Sequence, residues 1–421
     1  MKFKIMHPLN HLIVKKDQFI TITQEYGTPL YIYSAELIRE NLDKLEFALK
    51  KNFKKYHICY ALKANSNPHL IKLMKDYLSD LGADCSSPGE IYAANLAGIS
   101  PQECIYTGNY ESMNDLQCAF ESGSHINLDD INSFLRLIKI GIPEEISFRL
   151  NPGFGMGTFA QIITGGEKAK FGVPHYDIVN AYRNAKENGV KKYGIQCMTG
   201  SGVLDSEYFP ELMTAILKTV KLLHDELGIQ MNYISMGGGF GIPYKDDESV
   251  LDIQQVFKNV GDIYNSFFDK KPLKTPELWI EPGKSVVGDA GILLTSVTGI
   301  KESYKTFIGV DAGMETLMRP ALYGAYHHIF KVGNPDAPTI KKVDITGRIC
   351  ENTDRLAVDR DFPEVDEGDL IAIMDVGAYG YSMSHNSNTR PRAAEVLLDG
   401  ENVQLIRKRE TVRDIFRNCH L

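Results

Sequence analysis

The sequence predicts an α/β protein: a (β/α)8 TIM barrel over residues 36–290, joined to a second, mainly β domain. Two observations carry this. From residue 56 a short apolar run ending in small or polar residues is followed by a helical stretch, and the pair repeats eight times. After residue 290 the texture changes to strand-like runs separated by turn signals. A doubly wound open sheet is the alternative. Eight unbroken units over about the usual barrel length favour closure.

The eight runs are YHICYALK (56–63), LGADCSS (81–87), CIYTG (104–108), HINLDD (125–130), ISFRLN (146–151), GIQCMTGS (194–201), YISMGGG (233–239) and ELWIEPG (277–283). Helical patterns fill 68–80, 89–96, 114–122, 130–140, 176–189, 207–228 and 252–268, with Gly189 and Gly228 as C-terminal stops. Barrel chemistry collects at the carboxyl ends of strands. Lys63, Asp84, Arg149, Ser201, the triple glycine Gly237-Gly238-Gly239 and Glu281 all fall there. The later runs are ILLTSVTGI, TFIGVDAG, KKVDITGRI, DLIAIMDVGAYGYSM and AAEVLLDGENVQLI, punctuated by Glu367-Gly368-Asp369 and Asp399-Gly400. The alternating N-terminal stretches LNHLIV and FITITQEYG read as part of this β domain, which then comprises 1–35 plus 291–421.

Composition agrees with two domains. The chain has 421 residues, 43% of them apolar, enough for two cores. The net charge is −8 and no long basic block occurs, which argues against a nucleic-acid surface. No apolar run reaches the ~18 residues of a membrane span, and the N-terminus lacks a signal-peptide core. Seven scattered cysteines without CxxC spacing imply a reducing, cytoplasmic setting. His125, His327 and His385 show no metal spacing and read as ordinary polar or aromatic positions.

Three features carry chemistry. Lys63 ends a buried strand, where a lysine is costly unless it is desolvated and reactive towards a carbonyl. A lysine snorkelling from the barrel rim is the alternative. Gly237-Gly238-Gly239-Phe240-Gly241 ends strand seven and can crowd backbone N–H groups around a phosphate, with Ser201 contributing from the Thr199–Gly202 turn. A plain tight turn is the alternative. Neither loop has Walker A or GxGxxG spacing. Glu281 ends strand eight, where a carboxylate needs a cationic partner: a pyridine nitrogen, or Lys284 or Arg149 in an ion pair. Lysine, phosphate loop and ring-facing carboxylate together describe pyridoxal 5'-phosphate (PLP).

Beyond these, YALKANSN (60–67), GADCSSPGEI (82–91), KFG (170–172), GGGFG (237–241), EPGK (281–284) and VDAGM (310–314) occur in that order. RPALYGAYH (319–327), CENTD (350–354), DVGAYGYSM (375–383) and NTRPRAAEVL (388–397) follow. With these motifs the chain resembles the alanine-racemase-type (fold type III) PLP decarboxylases over nearly its whole length, and most closely the diaminopimelate decarboxylases. The resemblance implies a homodimer with active sites at the interface, acting on a small diamino acid. It implies a Schiff base on Lys63 and Glu281 at the ring nitrogen, with Asp84, Arg149 and Met198 around the cofactor. The phosphate would be held by Gly237, Gly238, Gly239, Ser201 and Tyr379. Cys350 of the partner subunit would protonate Cα, and Glu351 would take the substrate's distal ammonium. Arg319, Tyr323 and Lys284 would hold its distal carboxylate, near Tyr379.

The implied reaction is decarboxylation of meso-2,6-diaminopimelate to L-lysine and CO2. A related diamino acid, such as ornithine, lysine or a siderophore or polyamine intermediate, is the alternative. Two departures from the family motivate it: Met198 stands where histidine is usual, and Lys284 where arginine is usual. Residues 153–172 also match loosely. A racemase would need a base on the opposite ring face. A PLP carrier without catalysis would resemble the barrel alone.

Overall fold

The structure, a computed structural model, describes residues 16–270 and 273–419. The described chain divides into two compact units. One holds residues 39–242 and 249–285. The other holds the described residues up to 38 together with 243–248 and 286–419.

A helix, Lys16–Tyr26, precedes strand β1 (Leu30–Ser34). The first unit then alternates strands and helices. Its strands are β2 (Tyr56–Ala61), β3 (Gly82–Cys85), β4 (Cys104–Thr107), β5 (His125–Leu128), β6 (Glu145–Asn151), the short β7 (Val173–Pro174), β8 (Lys192–Gln196), β9 (Met231–Ser235) and β10 (Glu277–Ile280). They pair in parallel in the order β5-β4-β3-β2-β10-β9-β8-β6, and β5 pairs back to β6. That closes an eight-stranded barrel, with β7 attached outside it to β6. Each predicted barrel strand is present, and the ends of the predicted runs form the rim, beyond the last strand residue in most and within the strand in β6.

The barrel interior is packed, not hollow. Tyr233 stacks on Trp279 at 4.2 Å, and His125 and His57 contact the same indole at 4.9 and 5.0 Å. This aromatic plug, with Cys59 and Ile105 in the same buried cluster, fills the lower layers, and the Tyr233 hydroxyl donates to buried Ser147, which donates to Asn127. Outside, helices such as Ile253–Asp269 bury one stripe: Val256, Phe257, Val260, Tyr264 and Phe268 recur at helical spacing. Gly228 ends the helix Tyr208–Leu227 in the left-handed conformation, φ 66°.

The second unit is mainly β. Its strands after the barrel are β11 (Gly291–Glu302), β12 (Thr306–Val310), β13 (Ile329–Lys331), β14 (Thr339–Thr346), β15 (Arg355–Pro363), β16 (Leu370–Ile373), β17 (Ala394–Asp399) and β18 (Asn402–Arg407). The sheet order is β15-β14-β12-β11-β1-β17-β18, with β16 also on β11 and β13 on β16. β1 thus joins this sheet, antiparallel to β11 and parallel to β17.

Two sequence readings need correction. FITITQEYG is not an alternating strand but lies in the helix Lys16–Tyr26. Its buried residues are Phe19 and Ile22, three apart, and Thr21 and Thr23 turn their hydroxyls back onto the Asp17 and Ile20 carbonyls. The stretch LNHLIV (9–14) lies outside the described residues. The run 369–383 is not one strand: β16 stops at Ile373, and Asp375 and Tyr379 take left-handed φ of 59° and 58°. Gly377 permits the turn, since a Cβ there would lie 1.7 Å from the Val287 carbonyl oxygen. β13 and β15 were not foreseen. β15 is an edge strand of mixed charge, tied to the sheet by buried Asp344, which accepts from Lys305 and Arg355 side chains and from the Asp359 N–H.

Candidate active site

Lys63 is set by its turn. The Tyr60 hydroxyl donates to the Asn65 carbonyl (3.0 Å), Asn65 Oδ1 accepts from Asn67 N–H (3.1 Å), and Asn67 caps the helix that Pro68 opens. The side chain emerges at the rim, where Nζ pairs with Asp84 Oδ2. Asp84 is fully buried on β3, and its Oδ1 has no protein hydrogen-bond partner.

On the neighbouring strand, β10, which pairs with β2, Glu281 follows the last strand residue and is buried. Ser235 Oγ donates to its Oε1 (2.6 Å) and Gln196 Nε2 to its Oε2 (2.9 Å). The Gly237 N–H in turn donates to Ser235 Oγ (3.1 Å), so the carboxylate and the glycine run share one hydrogen-bonded chain. Burial first, and then the neighbouring Asp84 charge, push the Glu281 carboxyl up to about 7, against the opposing pull of Lys63, Ser235 and Gln196. Ser235 and Gln196 were missed in the sequence. The signal was available: adjacent strands β8 and β9 end in Gln196 and Ser235, which pair in register beside the strand that leads to Glu281.

The glycines are required by close approach. Gly237 and Gly239 have φ of 68° and 93°. A Cβ on Gly238 would lie 2.2 Å from the Glu281 carbonyl oxygen, and one on Gly200 would lie 1.4 Å from that of Met156. Val203 N–H donates to Gly239 O (2.8 Å) and Gly241 N–H to Val203 O (2.9 Å), locking this run to the Thr199–Gly202 turn. We therefore expect Gly238→Ala to weaken PLP binding about 10- to 100-fold by titration of the cofactor absorbance, with the circular dichroism unchanged.

Around this cradle, Met198 Sδ accepts from Gly238 N–H (3.3 Å), a contact with no charge. Arg149 is buried on β6 and donates to the Met198 carbonyl (2.6 Å), so it braces the same turn. Asp129 lies 4.0 Å from Arg149, and burial raises its carboxyl to about 6 despite that cation. Ser201 is half-buried, and its carbonyl accepts from Thr158 N–H (3.1 Å). Lys284 is buried, with Nζ 3.0 Å from where a Cβ on Gly202 would stand.

The β unit carries the other predicted residues. Arg319, buried, opens the short helix Arg319–Tyr323, with half-buried Tyr323 at its end. Cys350 and Glu351 are exposed in the turn after β14. That turn folds around buried Asp354, whose oxygens accept from Met314 N–H (2.6 Å) and Ile349 N–H (3.0 Å). Cys350 N–H donates to Asn388 Oδ1 (2.8 Å). Tyr379 holds its left-handed conformation in the loop after β16, a strain of the kind found at binding sites. Asp354 and Asn388 had no role in the sequence reading.

A barrel whose rim joins a lysine, a glycine cradle and a proton-poised carboxyl defines a class: enzymes that act through pyridoxal phosphate. The family described as pyridoxal-dependent decarboxylase, pyridoxal binding domain, matches residues 39–288. A diaminopimelate decarboxylase of Methanothermobacter thermautotrophicus is 42% identical over 409 residues, covering 97% of this chain and 95% of that protein. Among solved structures, diaminopimelate decarboxylase from M. jannaschii superposes with a TM-score of 0.87 at 33% identity, covering 96% of this chain and 94% of that one. The Helicobacter pylori enzyme complexed with L-lysine gives 0.86 at 32%, covering 95% and 98%. The chain belongs to the diaminopimelate decarboxylase family of PLP-dependent decarboxylases.

The residues present fit PLP. The amine of Lys63 is held at the rim. Gly237, Gly238 and Gly239 press so closely on the Cys197, Glu281 and Gly200 carbonyls that no Cβ is tolerated, which brings bare backbone to the rim. Glu281 is a carboxyl that a cationic ring nitrogen would keep ionised. Asp84 Oδ1 and Gln196 Oε1 are buried acceptors without a protein donor. No helix among the described residues is long and apolar enough to cross a membrane.

Proposed function

We propose that the protein decarboxylates meso-2,6-diaminopimelate to L-lysine and CO2. The observation that carries this is Arg319: a buried guanidinium suits a substrate with a second carboxylate. Diaminopimelate has one beyond its reacting centre; ornithine and lysine do not.

When bound, PLP supplies a covalent handle for the substrate amine and a cationic ring that takes up the electrons left as CO2 departs. In this reading Lys63 is the point of attachment, and Asp84 holds its Nζ in place. Glu281 keeps a proton on the ring nitrogen, oriented by Ser235 and Gln196. The Gly237-Gly238-Gly239 run, the Ser201 hydroxyl and Tyr379 hold the phosphate, and Lys284 adds charge for the substrate's distal carboxylate. Arg149 and Met198 shape the turn beneath. Arg319 and Tyr323 take the distal carboxylate and Glu351 the distal ammonium. Cys350 Sγ, from the partner subunit of a homodimer, gives its proton to Cα. The seven free cysteines fit a cytoplasmic enzyme.

The test is CO2 release from diaminopimelate against ornithine, lysine and arginine by the purified protein with PLP. Release from another diamino acid but not diaminopimelate moves the reading to the related-substrate alternative, which Met198 and Lys284 favour. The shared site has its own test. Lys63→Ala and Cys350→Ala should each be inactive alone. If one site needs Lys63 and Cys350 from different chains, mixing equal amounts under exchange restores about a quarter of wild-type activity. That figure is statistical: half the dimers are mixed, and each has one intact site. No recovery, or full activity of Cys350→Ala alone, contradicts it.

A further inference from the structure

We infer that His327 is a positioning residue that aims Arg319 and so selects for the substrate's second carboxylate; this rests on the reading of Arg319 just given. The sequence offered His327 only as an ordinary polar position. In the structure it is fully buried. Pro320 starts the Arg319–Tyr323 helix, and Gly324 ends it in the left-handed conformation, φ 66°. The chain thereby turns back, and His327 Nε2 comes 2.9 Å from Arg319 Nη1. His327 Nδ1 lies 2.7 Å from the Met374 carbonyl oxygen.

The proton positions follow from chemistry alone. A guanidinium can only donate, so Nε2 accepts. A carbonyl can only accept, so Nδ1 carries the hydrogen. The imidazole is therefore neutral and in one tautomer. Met374 is itself fixed, since its N–H donates to the His328 carbonyl (2.9 Å).

Tyr244 completes the mount. Its ring lies 4.5 Å from the guanidinium carbon and 5.4 Å, edge-on, from the imidazole. One donor of Arg319 is thus taken by His327 and one face covered by Tyr244. The guanidinium makes no other hydrogen bond among the described residues, which leaves the rest of its five-donor fork for a carboxylate. An arginine mounted this way loses little side-chain freedom on binding.

The experiment compares His327→Phe with His327→Gln in the PLP-loaded enzyme. Phenylalanine fills the space without an acceptor; glutamine can still present an oxygen to Arg319. We expect His327→Phe to raise KM for diaminopimelate about 10- to 100-fold while kcat falls less than about threefold. His327→Gln should recover most of that loss. Inhibition constants separate aim from general damage. L-Lysine keeps the distal carboxylate and should weaken in proportion to KM, whereas 1,5-diaminopentane, which lacks it, should be unchanged. Equal weakening of both inhibitors, an unchanged KM, or no recovery with glutamine overturns the inference. A wild-type enzyme inactive on diaminopimelate would instead sink the substrate reading beneath it.

Discussion

Replacing Lys63 with alanine is expected to abolish decarboxylation, by at least about 10^4-fold in kcat, and to leave PLP only loosely bound. The backbone should survive. The turn around Lys63 is held by Tyr60, Asn65 and Asn67, and none of these contacts uses the lysine side chain. The charge on Asp84 loses its partner, yet the Lys63 side chain is 35% exposed, so the pair behaves partly as a solvent-screened one. Lys63→Arg separates the two roles: it returns a cation to Asp84 but no primary amine. The arginine variant should fold as wild type, bind PLP reversibly and remain inactive. Dialysis against buffer, with absorbance before and after, reads the difference. Cofactor that stays bound through dialysis in Lys63→Ala would contradict the assignment.

Glu281→Gln should have the next largest effect, a loss of about 10^3-fold in kcat, because an amide cannot hold a proton on the ring nitrogen. It also carries an effect on stability whose sign is fixed. In the folded, cofactor-free protein the Glu281 carboxyl titrates near 7, above its ordinary 4.5. Between those values the folded state keeps a proton that the unfolded chain has released. Stability contributed by this site is therefore present below pH 4.5 and is lost as pH rises towards 7 and beyond, by on the order of 3 kcal/mol at most. Glutamine does not titrate. Cofactor-free Glu281→Gln should melt higher than cofactor-free wild type at pH 8, and the gap should close near pH 4.5. The packing permits this: Ser235 still donates to the amide oxygen, and Gln196 can turn to present its unpaired Oε1 to the new N–H2. Adding PLP should reverse the order at pH 8, because only the wild-type carboxylate gains a cationic partner. Thermal melts of both proteins, with and without PLP, check all three statements. A higher melt for cofactor-free wild type at pH 8 contradicts them.

Much of the barrel was legible because its signal is local. The β runs are mostly apolar, they end in small or polar residues, and several helices open on a cap such as Asn67, Ser87 or Ser112. Lys63, Asp84 and Glu281 stood out for the same reason: they are charged where burial is costly. The β unit was less legible, since its strands are defined by partners far away. β1 pairs with strands about 260 and 360 residues on. FITITQEYG misled because β-branched residues favour strands while its burial follows helical spacing. Ser235, Gln196 and His327 were passed over because serine, glutamine and histidine are unremarkable in isolation. Their meaning comes from Glu281 and Arg319, which only the closed barrel and the Gly324 turn bring within reach.

The central claim is that Lys63, and no other lysine, carries the cofactor. Borohydride reduction of the PLP-loaded protein fixes the attachment permanently, and peptide mass mapping then locates it. The account predicts a single modified peptide containing Lys63 and loss of the yellow absorbance. A modification on Lys284 or any other lysine, or an unmodified protein that still decarboxylates its substrate, would contradict it.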